Sequence, residues 1–272
     1  MSLPIFDPNV DPGPDFASLM RRISGIDPLP AALVDSLSGA PPVITHGTTC
    51  VAVRYADGVV MAGDRRATAG NLISHRSIEK VFAADKHSVV AIAGAAGPAI
   101  EMVRLFQLQL EHYEKVEGSP LSLEGKANQL SQMLRGNLPA AMSGLAVVPI
   151  FAGFDLARDR GRLFEYDITG GRYEESDYAA TGSGSLHAET VIKVRYTKDL
   201  DVDGAINLVV ESLFQAADAD SATGGADTLR GIYPIVVKVD IDGFERIDDT
   251  VVGDRFAMIA QQFSDNHREV EL

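Results

Sequence analysis

Residues 47–68 read GTTCVAVRYADGVVMAGDRRAT, and the way this stretch divides decides the fold. TTCVAVRY alternates apolar and polar positions in strand fashion. Asp57-Gly58 is a turn dipeptide, and VVMAG after it reads as a second strand, so the pair predicts an antiparallel hairpin. The run begins abruptly at Gly47, where the composition of the chain changes.

Upstream of that seam, eight of the 13 prolines fall within the first 42 residues: Pro4, Pro8, Pro12, Pro14, Pro28, Pro30, Pro41 and Pro42. Proline at this density breaks strands and helices. The apolar pieces between them (Phe16, Leu19, Met20 and Ile23, then residues 31–37) suit one or two short helices. Composition leaves two readings open, a flexible tail or a removable segment that docks on the folded body.

Downstream, KVFAAD and SVVAIAG predict a second strand pair, joined near Asp85-Lys86. Ile100, Val103, Phe106, Leu110 and Tyr113 recur at helical spacing, with Pro98 in a first-turn position. A second helix spans residues 122–138, with Leu123, Ala127, Leu130, Met133 and Leu134 inward; Gly136 and Pro139 end it. Strands follow at LAVVPIFAGFD, RLFEYDI and RYEESDYAAT. Helices are expected over residues 185–196 and 203–219. IYPIVVKVD and GFERI are then joined at Asp242-Gly243, and a last helix covers 250–264. Strands, helix pair, strands, helix pair, strands: two stacked sheets with helices on both outer faces would bury every apolar face.

The bulk numbers narrow the function. The chain has 272 residues, 46 % of them hydrophobic, with 38 acidic against 24 basic side chains and a formal charge of −14. That charge repels phosphate backbones, so no nucleic-acid partner is expected. The single cysteine, Cys50, excludes an internal disulfide and fits a reducing, cytoplasmic setting. The start MSLPIFDPNVDPGPDF has no basic segment and no apolar core of a secretory signal. The longest apolar run, residues 89–100, is too short to span a bilayer, so no membrane association is expected.

The usual site chemistries are missing. The six histidines show no metal-ligand spacing, and no metal or cofactor is expected. GSGSL at 182–186 lacks the third glycine of a dinucleotide fingerprint, and there is no phosphate-binding Gly-Lys-Ser/Thr loop or G-x-S-x-G elbow. What remains is Thr48 at the compositional seam, followed by Asp64, Lys80 and a small-residue turn at Gly94. A threonine hydroxyl is a weak nucleophile that needs a base. Cleavage between Gly47 and Thr48 would create an α-amine beside that hydroxyl, with an ordinary pKa of roughly 7.7–8.0, well placed for a general base. Before cleavage the same nitrogen is an amide and cannot take a proton, so the precursor would be inactive by its chemistry. Cys50 follows Thr48 by two strand residues, about 7 Å, and is expected to be a packed core cysteine.

Taken together, GTTCVAVRYADGVVMAGDRRAT, Lys80 before Val81-Phe82, AIAGAAG, TGSGS and DADSATGG resemble the β-type subunits of 20S proteasomes, most closely the bacterial branch with its DSATGG run. The resemblance extends from Gly47 to about residue 245. It implies an α+β fold, the four-layer αββα sandwich of the N-terminal-nucleophile hydrolases, with residues 1–47 as a propeptide and 48–272 as the catalytic domain. It also implies a threonine endopeptidase with Thr48 as nucleophile and Gly47 as the residue lost on self-cleavage. Asp64 would hold Lys80, the cation beside the nucleophile. Gly94 would offer its N–H to the developing oxyanion, and Ser183, Asp220 and Thr223 would brace the free amine and its water. Arg66 matches a structural arginine and Thr68 a substrate-backbone contact. Ala67, Ile92 and Ala96 would line an apolar specificity pocket, so cleavage after hydrophobic residues is expected.

The implied partners are α subunits and other β subunits in four stacked heptameric rings, a regulatory ATPase ring, and unfolded protein substrates. Two other readings are a simpler bacterial two-ring protease and a non-catalytic scaffolding subunit. The Asp64-Arg65-Arg66 run, the long N-terminal segment and DSATGG weigh against the first. The joint presence of Thr48, Asp64 and Lys80 weighs against the second.

Overall fold

The computed structural model describes residues 47–70 and 72–269, with side chains through residue 265. The expected propeptide helices within residues 16–37 therefore lie outside the described residues.

Strands β1 (Thr49–Tyr55), β2 (Gly58–Gly63), β10 (Tyr178–Gly182), β11 (Ile235–Asp240) and β12 (Gly243–Arg246) form one sheet, in the order β10-β1-β2-β11-β12. A second sheet runs β5 (Val81–Asp85), β6 (Ser88–Gly94), β7 (Val147–Asp155), β8 (Arg160–Tyr166) and β9 (Arg172–Glu175). Every pairing within both sheets is antiparallel. Helices α1 (Ala96–Glu117), α2 (Leu123–Gly136) and the short α3 (Leu138–Met142) follow β6. Helices α4 (Ser185–Arg195), α5 (Val202–Ala219) and α6 (Asp249–Glu269) complete the described chain.

Three apolar layers hold these elements together, and the central strands each serve two of them. Cys50 and Ala52 of β1 meet Val89 and Ala91 of β6 and Ile150 and Ala152 of β7 between the sheets. Val51 and Val53 point the other way, onto Ile192, Val209 and Leu213 of α4 and α5. Val90, Ile92 and Phe151 face Phe106, Leu110 and Leu130 of α1 and α2. The expected alternation of apolar and polar residues in β1 is thus corrected. Side chains alternate between two buried partners, because a strand between a sheet and a helix layer has no face left for water. The aromatic centre of the α1–α2 side has Phe151 edge-on to Phe106 at 5.8 Å and stacked with Phe164 at 6.1 Å. Burying side chains of this size contributes about 1.5–3 kcal/mol each.

Elsewhere the chain departs from expectation in three places. RYEESDYAAT is not one strand: β9 pairs with β8, the chain crosses at Ser176-Asp177, and β10 pairs with β1 in the other sheet. The helix expected to run to residue 138 ends at Gly136, and Pro139 sits in the first turn of the separate α3. A hairpin of β3 (Ala67–Ala69) and β4 (Leu72–His75) was not legible. β4 is exposed along its whole length, so no buried face marks it as a strand. Among the described residues, no helix is long and apolar enough to cross a membrane.

Candidate active site

Thr48 and Thr49 enter β1 from Gly47, and all three are buried. The strand is anchored at this end by Asp64, which follows β2 directly. Thr49 and Asp64 extend the β1–β2 ladder, with Asp64 N–H donating to Thr49 O at 3.0 Å. The Asp64 carboxylate is fully buried and accepts four donors. Lys80 Nζ and Thr49 N–H reach Oδ1 at 2.6 and 2.8 Å. Arg66 N–H and Gly224 N–H reach Oδ2 at 2.9 and 2.8 Å. A buried carboxylate is tolerated only when its lone pairs are met in this way. Asp64 and Lys80 thereby form a buried ion pair.

Lys80 lies between β4 and β5, and its side chain is 4 % exposed. The ammonium donates to Gly47 O at 3.3 Å as well as to Asp64. The Thr48 hydroxyl donates to the same carbonyl oxygen at 2.8 Å. Two donors, one of them charged, therefore converge on the carbonyl of the Gly47–Thr48 peptide. Thr68 Oγ1 accepts the Gly47 N–H at 3.3 Å, so the residue expected to hold substrate backbone holds Gly47.

On the other side, Ser183 follows β10 and its N–H donates to Thr48 O at 2.8 Å. Gly182 has φ of +101°, and a Cβ there would lie 1.9 Å from Thr48 O; only glycine permits so close a turn. Asp220 ends α5, and its Oδ2 accepts from Ser183 Oγ at 2.5 Å and Thr223 Oγ1 at 2.6 Å. Burial raises the Asp220 carboxyl. The Ser183 and Thr223 hydroxyls, the Ala222 N–H and the nearby His187 outweigh burial and hold it below its usual value. Arg66 clamps the same loop by donating to Ser221 O at 2.9 Å.

A small pocket opens over Thr48. Ala67, Thr68, Ile92, Gly94 and Ala96, all expected at the site, line it together with Gly47, Thr48 and Lys80. Its wall also includes Ile78, Glu79, Ala99 and Ile100, which motif reading missed. Ala99 and Ile100 follow Ala96 at helical spacing on α1, the signal that could have found them. Ile78 and Glu79 precede Lys80 in an irregular segment that carries no such signal. Gly94 has φ of +104°, and a Cβ there would meet Ala146 O at 2.1 Å. Cys50, two residues beyond Thr48, is fully buried against Ile92 O at 3.7 Å. Burial above all pushes its thiol up to about 12; Lys80 opposes the shift and Asp64 adds to it. The thiolate needed for nucleophilic chemistry is therefore scarce at neutral pH. Among the described residues, no cluster of His, Cys, Asp and Glu could hold a metal.

The family model described as "Proteasome subunit" matches residues 44–230. A proteasome subunit beta of Acidimicrobium ferrooxidans is 57 % identical over 249 residues, covering 92 % of this chain and 90 % of that one. The proteasome subunit beta of Acidothermus cellulolyticus is 53 % identical over 254 residues, covering 92 % and 86 %. That of Streptomyces griseus is 60 % identical over 204 residues, covering 75 % and 73 %. With a family match over more than half its length and relatives this similar, the chain belongs to the proteasome subunit family.

Proposed function

We propose that this chain is the catalytic β subunit of a 20S proteasome core, a threonine endopeptidase that matures by cutting its own Gly47–Thr48 bond. The observation that carries this reading is the convergence of Thr48 Oγ1 and Lys80 Nζ on the Gly47 carbonyl oxygen, at 2.8 and 3.3 Å. Both donors draw electron density from the carbonyl and make its carbon the better electrophile. Attack by Thr48 Oγ1 on that carbon moves the acyl group from nitrogen to oxygen and frees the amine. Water then hydrolyses the ester, releasing residues 1–47 with a new carboxylate.

In the mature chain the Thr48 amine serves as the base for its own hydroxyl. Lys80 lies beside it, and its positive charge favours the neutral amine and the ionised oxygen. The Gly94 N–H receives the oxyanion, and Ser183, Asp220 and Thr223 hold the amine and the attacking water. The pocket wall formed by Ala67, Ile92, Ala96, Ala99 and Ile100 is apolar, which favours cleavage after hydrophobic residues. The similarity to proteins named proteasome subunit beta supports assembly with α and β subunits into stacked rings. Unfolded chains fed by an ATPase ring are the substrates of this reading, and the cytoplasm is its setting. The scaffolding-only alternative is disfavoured because Thr48 and Lys80 both bond the Gly47 carbonyl oxygen while Asp64 pairs with Lys80.

The test is intact mass after co-assembly with an α partner. The wild-type chain should lose residues 1–47 and hydrolyse a fluorogenic peptide with a bulky apolar residue at the cleavage site. Thr48→Ala should stay full length and inactive. Trimming of Thr48→Ala to residue 48, with no other active protease present, would overturn self-cleavage; peptide turnover by it would overturn the nucleophile.

A further inference from the structure

Thr49 follows the nucleophile and shows no exposed surface. Its backbone N–H and carbonyl both bond Asp64, and its hydroxyl bonds Gly184 and Thr223. The N–H donates to Asp64 Oδ1, the same oxygen that holds Lys80. The hydroxyl oxygen accepts the Gly184 N–H at 3.0 Å and lies 2.5 Å from Thr223 Oγ1. The carbonyl accepts the Asp64 N–H.

Each hydroxyl has one proton, and this fixes the direction of the chain. Thr223 Oγ1 is 2.6 Å from Asp220 Oδ2, and a hydrogen bond to a carboxylate is the stronger use of its proton. Thr49 must then supply the proton of the 2.5 Å contact. Donation runs from Gly184 N–H to Thr49, from Thr49 to Thr223, and from Thr223 to Asp220, which also receives Ser183. The backbone is shaped for this contact: a Cβ on Gly184 would lie 2.5 Å from Thr49 Oγ1 and 2.6 Å from Thr223 Oγ1. Thr223 is itself fully buried, so water cannot replace a lost partner there.

We propose that the Thr49 hydroxyl is a positioning group that registers the Ser183 turn and the Asp220–Thr223 loop against the Lys80–Asp64 side of the site. It touches no reacting atom and acts through Thr223 and Asp220. The proposal rests on the threonine-peptidase reading above and extends it to a residue that reading leaves without a role.

The experiment compares Thr49→Val, which keeps the shape and removes the hydroxyl, with Thr49→Ser, which keeps the hydroxyl. Both are full-length chains co-assembled with the α partner, and kcat and KM are normalised to the fraction processed by intact mass. Thr49→Val should lower kcat at least tenfold with KM within twofold and slow the loss of the precursor mass. Thr49→Ser should recover kcat to within about threefold of wild type. If Thr49→Val does not assemble, Thr49→Ala against Thr49→Ser makes the same comparison, since these two differ only by the hydroxyl. Equal activity in the members of either pair, whether high or low, overturns the proposal. A Thr48→Ala control separates the two ideas. If it retains activity the peptidase reading itself falls; if it is dead while Thr49→Val works normally, only the role of Thr49 falls.

Discussion

At the scale of single residues, the site is organised by one buried ion pair with unequal support on its two sides. Asp64 has three N–H donors besides Lys80, so it stays solvated by the backbone when the lysine is removed. Removing one partner of a buried pair costs about 3–5 kcal/mol when the other is left bare. Lys80→Ala should therefore destabilise by less than that and leave the fold intact. It should also remove the only charged donor on the Gly47 carbonyl among the described residues. We expect unprocessed chain and peptide hydrolysis at least a hundredfold down, with an unchanged circular dichroism spectrum. Activity within a few-fold of wild type would remove Lys80 from the mechanism. Cys50 shows the opposite lesson. Its place near Thr48 in sequence invites a role, yet its side chain lies between the sheets, where burial suppresses the thiolate.

At the scale of elements, the site is assembled by strand ends and the turns that leave them. β1, β2, β6 and β10 deliver Thr48, Asp64, Gly94 and Ser183 respectively, and two of these turns depend on glycines with positive φ. The positive angle alone is a modest matter; the space around it decides the cost. Gly118 caps α1 with φ of +70° and has nothing within 4 Å of a built Cβ. Gly118→Ala should cost about 1–2 kcal/mol, the ordinary penalty of a left-handed backbone. At Gly182 the same substitution drives a Cβ to within 1.9 Å of Thr48 O. Gly182→Ala should cost more than about 4 kcal/mol, a size reserved for specific structural conflicts, and should block processing as well. Urea midpoints of the two variants, measured side by side, check the contrast; similar losses would mean that the β10 turn relaxes freely.

At the scale of the whole molecule, the proposed function depends on assembly with α and β subunits, and the proposed propeptide bears on that step. Its apolar pieces around Phe16 to Ile23 and residues 31–37 are too hydrophobic for a spacer and too interrupted by proline for a domain. The described surface exposes large apolar side chains, among them Leu108, Val116, Leu186 and Leu229. A segment that covers such surface lowers its own free energy and that of an unassembled subunit. We expect residues 48–272 with a free threonine start to form particles with the α partner more slowly than the full chain. Native gels over time make the comparison, and equal rates and yields would leave the segment only the task of capping the amine.

Hydrophobic periodicity and turn dipeptides were enough to mark most strands, five of the six described helices and the stacking of two sheets between helix layers. These signals are local and survive in the chain without its fold. The residues themselves singled out Thr48, Asp64, Lys80 and Gly94, and the resemblance to proteasome β-type subunits added Ser183, Asp220 and Thr223. Tertiary structure alone decided three things. It split residues 172–182 between two sheets, because pairing partners are chosen by packing and not by propensity. It put both faces of β1 in apolar layers. It also made Thr49 the link between the two halves of the site, because a hydroxyl on a strand looks the same in sequence whether it meets water or Thr223. Proton direction, burial and the 2.5 Å contact arise only when residues 49, 184, 220 and 223 are brought together.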